Sequence, residues 1–206
     1  IRNISSQMEP TLNTLGTSAK ELSAQAPRCA EQMQAQVAAL KQFSDNIQEL
    51  SSLENSLTEP YEMGEVNAGT FCESVMEKAK EFIKPDVTPS VNAPKLQVKT
   101  NKEQLERILL YLLKNAAFYT EQGRISLDFK KRGAHTHQFI ITDTGTGIPA
   151  EQQENLFKPF TQVKDLTTGD GLGLPICSLI ATKMNGSLTL DTSYTKGCRF
   201  ILELHA

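Results

Sequence analysis

The chain has 206 residues, 39% hydrophobic and 22% charged, with 12 Gly, 9 Pro, 4 Cys and no Trp, which excludes collagen-like, low-complexity and wholly disordered chains. Its 21 basic and 24 acidic residues leave a formal charge of −3, too weak a field to hold a nucleic acid or an anionic membrane, so no nucleic-acid partner is expected. The length allows one large domain or two small ones.

Composition changes near residue 60. Residues 1–59 contain a single glycine, Gly16, and repeat apolar residues at three- and four-residue steps: Ile4, Met8, Leu12, Leu15, Ala19 and Leu22, then Met33, Val37, Leu40, Phe43, Ile47 and Leu50. Such spacing predicts amphipathic helices. Pro27 removes a backbone donor and biases Ala26 away from helix, so a break is expected there. The result would be a hairpin of two helices, ~33 and ~42 Å long at 1.5 Å per residue. One hairpin cannot enclose its own apolar stripe, and a second copy would complete a four-helix bundle as a homodimer.

Residues 60–206 alternate element types. A strand is expected at Glu62 to Val66, a helix at Gly69 to Ile83, a loop at Pro85 to Pro89 and a strand at Leu96 to Lys99. A long helix follows from Lys102 to Tyr119, then strands Arg124 to Lys130 and Gln138 to Thr142, turning through Arg132-Gly133. A Gly/Pro/Thr-rich stretch runs from Thr144 to Gly171. Helix Leu172 to Met184 and the hairpin Ser187 to Asp191 with Cys198 to Leu204 close the chain. This order predicts an α+β protein, a helical hairpin (1–59) followed by a two-layer α/β sandwich (60–206).

Two glycine clusters carry the chemistry. Asp143-Thr144-Gly145-Thr146-Gly147-Ile148-Pro149 ends an apolar strand, where a carboxylate can accept a hydrogen bond from a ligand amine and the glycines let a flat ring approach the backbone. Gly169-Asp170-Gly171-Leu172-Gly173-Leu174 opens a helix whose free N–H groups and positive dipole end can face phosphate oxygens. The first cluster also fits G-x-G-x-x-A, but Pro149 is awkward there, and neither the crossover unit nor the acidic residue ~20 positions on that a dinucleotide fold needs is clear. No G-x-x-x-x-G-K-[ST] motif is present.

With these clusters in place, the sequence resembles the sensor histidine kinases. Its second half is similar to the Bergerat-type ATP-binding domain that they share with type II topoisomerases and certain chaperones. Leu110 to Thr120 resembles the N box, Asp143 to Ile148 the first glycine box, Leu156 to Gln162 the F box and Gly169 to Leu174 the second glycine box. The resemblance implies ATP and Mg²⁺ as cofactors. Asn115 would hold Mg²⁺, Asp143 would read the adenine amine, and Gly145 and Gly147 would line the base. Gly169, Gly171, Leu172 and Gly173 would meet the phosphates, and Phe157 and Phe160 would anchor a lid from Thr161 to Gly169. It also implies phosphoryl transfer within a homodimer and onward to a response-regulator receiver domain.

The sequence departs from the family pattern at several positions. Tyr111 stands where a further Asn is usual, and Phe118 where a basic residue is frequent, which leaves Lys114 and Lys164 as candidate phosphate-side cations. Asn3 to Asn13 resembles the phosphoacceptor segment, yet Ser6 occupies the His position and Gln7 the acidic one. The nucleophile and its activating carboxylate are both missing there. A second reading is therefore a non-catalytic, nucleotide-binding dimerisation scaffold. His135 and His137 alternate on a strand and are expected to be exposed hairpin residues.

The cysteines Cys29, Cys72, Cys177 and Cys198 show no C-x-x-C spacing and are expected to be reduced, mostly buried thiols of a cytoplasmic protein. The apolar run Ile108 to Leu113 is far short of the ~18 residues of a membrane span. Since the chain opens on Ile1, a piece of a longer, membrane-anchored sensor is expected.

Overall fold

Helix α1 runs from Arg2 to Asn55 in the computed structural model, which describes the backbone of residues 2–57, 59, 61–159 and 171–205 and, from residue 27 onward, their side chains except at 28 and 39. The expected turn at Pro27 does not form, and α1 replaces the hairpin. A proline inside a helix removes one hydrogen bond at a cost of ~3 kcal/mol. Here that local cost is set against long Ala-, Gln-, Glu- and Leu-rich flanks, all good helix formers. The chain divides into two compact units, Ile1–Asp45 and Asn46–Ala206. In the first, Met33, Val37 and Leu40 are 65, 66 and 67% exposed, an apolar stripe that faces solvent.

The second unit begins with the last turns of α1, where Leu50 and Leu53 are buried. Strand β1 (Gly64–Asn67) leads into α2 (Ala68–Ala79), capped by the Asn67 side chain accepting from the Thr70 N–H. A 3₁₀ turn, Lys80–Phe82, ends that helix. Next come β2 (Val87–Asn92), β3 (Gln97–Thr100) and α3 (Lys102–Tyr119), the last capped by Asn101. Then follow β4 (Gly123–Arg132), β5 (Thr136–Asp143), the short α4 (Ala150–Gln153), α5 (Gly173–Lys183), β6 (Gly186–Leu190) and β7 (Arg199–His205).

Strands β1 and β3 pair as an antiparallel ribbon, and the main sheet has the order β2-β4-β5-β7-β6. Strand β2 is parallel to β4, and the other pairs are antiparallel. Alternation sends Ile125, Leu127, Phe129, Phe139, Ile141, Phe200, Leu202 and Leu188 to one buried face, as strand periodicity requires. Leu105, Ile108, Leu109 and Leu113 of α3, with Ile180 of α5, complete this core without measurable exposure. The opposite face is mostly polar, apart from the cross-strand pair Ile140 and Ile201, and is tied by Gln138 donating to Glu203 at 2.6 Å and Ser126 to Asp128 at 2.9 Å. One covered face and one wet face make the two-layer sandwich.

Two further expectations change. The loop at Pro85 to Pro89 is in part strand β2, where Pro89 is tolerated because an edge strand has one side without a ladder partner. His137 is buried, not exposed, because its register places it opposite Leu204 on the core face and stacked on Phe129 at 5.8 Å. That burial, reinforced by Lys131 and His135, pushes its pKa down. His135 lies in the exposed turn.

Truncating Leu109 to Ala should cost ~2–5 kcal/mol through a cavity between α3 and the sheet, whereas Ile201→Ala on the wet face should cost less. Urea unfolding of both variants tests this order, and equal losses would contradict it.

Candidate functional site

One face of α3 is the spine of the site. Tyr111, Asn115 and Tyr119 follow one another at four-residue steps, so they share a ridge ~12 Å long at 1.5 Å rise per residue. Both glycine clusters come up against this ridge. A Cβ on Gly173 would fall 2.2 Å from the Tyr111 Oη and Cζ atoms, and one on Gly145 would fall 2.4 Å from the Tyr119 carbonyl oxygen. Only a residue without a side chain allows either approach. Segments far apart in sequence therefore meet at opposite ends of the same helix face, with half-buried Asn115 between them.

Asp143, the last residue of β5, is 4% exposed. Its Oδ1 accepts from the backbone N–H of Gly145 at 2.9 Å and of Cys198 at 3.1 Å. Both bonds end on Oδ1, which leaves Oδ2 as the atom to accept from a ligand amine. The β6–β7 turn folds over this carboxylate. Gly197 has φ +145°, and a Cβ there would lie 2.2 Å from the Asp143 carbonyl oxygen. Tyr194 donates to that carbonyl at 3.1 Å, and the Arg199 guanidinium lies 4.2 Å from the Tyr194 ring centroid while pairing with Asp191. Burial pushes the Asp143 pKa above the usual carboxylate value, and the two amide donors oppose it.

At the other end, Gly171 has φ +69° and Leu172 is the fully buried N-cap of α5, with no side-chain cap. The N–H groups of Gly173 and Leu174 precede the first intrahelical bond. Pro175 has no N–H to satisfy. The helix start is therefore a small set of outward amides at a positive dipole end.

Asn115 offers an amide oxygen suited to a hard cation. Among the described residues no group of three His, Cys, Asp or Glu could hold a metal ion. Lys114 does not share this ridge. It lies one residue before Asn115, about 100° around the helix, and its Nζ sits 4.3 Å from the Phe82 ring centroid. Lys164 and Gly169, with Phe160 and the expected lid, lie outside the described residues. The Ser6 side chain does too, although its backbone belongs to α1. Within the F box, Leu156 is buried and Phe157 half-buried.

Three contributors were given no role by the motifs, although Thr120 closes the N box. Thr120 is fully buried, its hydroxyl has no hydrogen-bond partner, and it lies against Gly145. Gly197 and Cys198 act on Asp143 through the backbone, and only the turn glycine hints at this.

Solved histidine kinase structures share the fold. Histidine kinase AdeS of Acinetobacter baumannii aligns with a TM-score of 0.68 at 22% identity, over 82% of this chain and 80% of that one. Full-length ShkA, solved in complex with AMPPNP, aligns with a TM-score of 0.68 at 25% identity over 81% of this chain and 36% of that one. Residues 100–206 match the family described as histidine kinase-, DNA gyrase B-, and HSP90-like ATPase, and the chain belongs to it, with an ATPase domain of the type found in two-component sensor kinases. The aerobic respiration control sensor protein ArcB of Escherichia coli (strain K12) is 30% identical over 138 residues, 65% of this chain but 18% of that protein. The chain thus spans less than a fifth of ArcB's length.

A carboxyl whose pKa is raised by folding binds its proton more tightly in the native state. Its contribution to stability is then fully present below the ordinary carboxylate pKa and is lost as pH climbs to the raised value. Asp143→Asn should remove that decline and melt no lower than the parent at neutral pH. Thermal melts between acid and neutral pH test this, and a much lower neutral melting temperature for the variant would show that the charge favours the fold.

Proposed function

We propose that this chain is the nucleotide-binding core of a two-component sensor histidine kinase and that it binds ATP with Mg²⁺ along the α3 ridge. The observation that carries this reading is the buried Asp143, with Oδ2 available to a ligand amine, at one end of a ridge whose other end meets the α5 N-terminus. Family membership and the complex of ShkA with AMPPNP support it.

In this reading Asp143 accepts the adenine amine, and Gly145 and Gly147 leave the backbone bare for the base. The amides at Gly171, Leu172 and Gly173 receive phosphate oxygens, with Gly169 and Lys164 on the adjoining segment. Asn115 would hold Mg²⁺, which when bound spreads the charge of the phosphates during transfer. The residues of this site orient the γ-phosphoryl group and supply little covalent chemistry, so the acceptor must come from elsewhere. The Met33, Val37 and Leu40 stripe, 65–67% exposed, is the surface through which a second copy would pair. A receiver-domain aspartate would then take the phosphate. No helix among the described residues is long and apolar enough to cross a membrane, and a cytoplasmic location accords with the free thiols.

One observation favours a second reading. The three histidines, His135, His137 and His205, all lie beyond residue 59, and Ser6 and Gln7 occupy the acceptor segment. A chain of this kind would bind nucleotide and pair with another kinase or regulator without phosphorylating itself.

Calorimetric titration with ATP and Mg²⁺ should give one site per chain, which Asp143→Asn abolishes; unchanged affinity in the variant would refute the adenine assignment. Incubation with γ-labelled ATP should leave no label on the chain if it is the scaffold. Acid-stable label would point to a hydroxyl such as Ser6, and acid-labile label to a histidine. Leu40→Lys should shift sedimentation toward the monomer, and an unaltered oligomeric state would remove the stripe from the interface.

A further inference from the structure

We infer that the tip of the β4–β5 hairpin docks on an anionic lipid surface, at the end of the sheet remote from Asp143. Lys130, Lys131 and Arg132 close β4 and are all exposed, as are the turn residues Gly133, Ala134 and His135 that follow. Exposed His205 ends the neighbouring strand β7 opposite Thr136. Among the described residues no carboxylate comes within ion-pair distance of the three cations. Arg132 donates from Nε to Gln138 Oε1 at 3.2 Å, a neutral partner that leaves its charge uncompensated. The two carboxylates on the same face are bonded elsewhere: Glu203 accepts from Gln138 at 2.6 Å and Asp128 from Ser126 at 2.9 Å.

Shape selects the partner. Strand alternation sends Lys130 and Arg132 to the wet face and Lys131 to the other, where it stands opposite His137. The charges therefore splay around a convex tip instead of lining a cleft. Such a display meets a plane of phosphates end-on but cannot follow an acidic peptide along one side. Gly133 and Ala134 bring no aromatic or long apolar side chain to the apex, so the contact is with headgroups and not with the acyl interior. A formal charge of −3 does not draw the whole chain to such a surface; the attraction is local, because fields fade within a Debye length of ~8 Å at physiological ionic strength. Thr136 and Asp143, the two ends of β5, lie ~23 Å apart at 3.3 Å per residue. Docking by the tip thus leaves the candidate nucleotide site in solution and is independent of the nucleotide reading.

Flotation of the full chain with phosphatidylcholine vesicles, with and without phosphatidylglycerol, tests this on the parent, on Lys130→Gln and Lys131→Gln, and on the triple variant that adds Arg132→Gln. The parent should bind the anionic vesicles more tightly. Each substitution should weaken that binding about fivefold and all three together about 100-fold, with an unaltered melting temperature. Lys130→Arg, which keeps the charge, should bind as the parent does, and it serves if the neutral variants are poorly folded. The α1 stripe is common to every variant and drops out of the comparison. Equal capture by both kinds of vesicle, or undiminished binding by the triple variant, would overturn the assignment. Tighter binding to poly-glutamate than to the anionic vesicles would also overturn it and give the tip to an acidic polypeptide instead.

Discussion

Close approach of bare backbone to helix α3 is the constraint on which the site depends. Gly145 meets the carbonyl end of α3 and Gly173 meets the Tyr111 ring; with any side chain at either place, the loops would stand off by several tenths of an ångström or more and the two ends would no longer share one groove. Burial of α3 fixes the ridge in turn. Leu105, Ile108, Leu109, Leu112 and Leu113 are nearly inaccessible, so the helix cannot roll to relieve a clash. The half-buried flank of this apolar stripe, which carries Tyr111, Asn115 and Tyr119, is the one left for ligand.

The same ridge extends toward the N-terminal helix. Arg107 lies four residues before Tyr111 and pairs through both guanidinium nitrogens with Glu49 in the last turns of α1. This bond holds the Arg107 pKa above its ordinary value. Nearby, Lys183 at the end of α5 donates to Ser56 at 2.8 Å and sits 4.7 Å from the Tyr61 ring centroid. The end of α1 is thus fastened to both helices that flank the candidate phosphate region. Partly exposed ion pairs contribute little to stability, so the value of these contacts lies in geometry: they tie the position of the α1 end to the helices that form the groove.

Electrostatics divide the groove into two unlike ends. At the Asp143 end the charge is buried, satisfied on one oxygen by two amides and raised in pKa by desolvation; an arrangement of this kind selects a hydrogen-bond donor of defined position. Among the described residues, the α5 end presents backbone amides at a positive dipole end, which suits anions. Cys198, beside Asp143, has its thiol pushed up to about 12 by burial and that neighbouring charge, so it packs as an inert side chain.

The residue pattern alone determined the α+β order, the limits of α3, the strand alternation and the positions of both glycine clusters. Each follows from periodicity or from a residue type whose backbone freedom is local. The continuity of α1 through Pro27, the strand at Val87–Asn92 and the burial of His137 were decided by tertiary structure. A proline's cost is weighed against its flanks, an edge strand against its single neighbour, and a histidine's exposure against the register of the strand opposite. The diversion of Lys114 to Phe82, the wrapping of Asp143 by Gly197 and Cys198, and the meeting of Tyr111 with Gly173 were likewise invisible in the chain. Each is a contact between residues distant in sequence, whose geometry exists only once the helices are seated on the sheet.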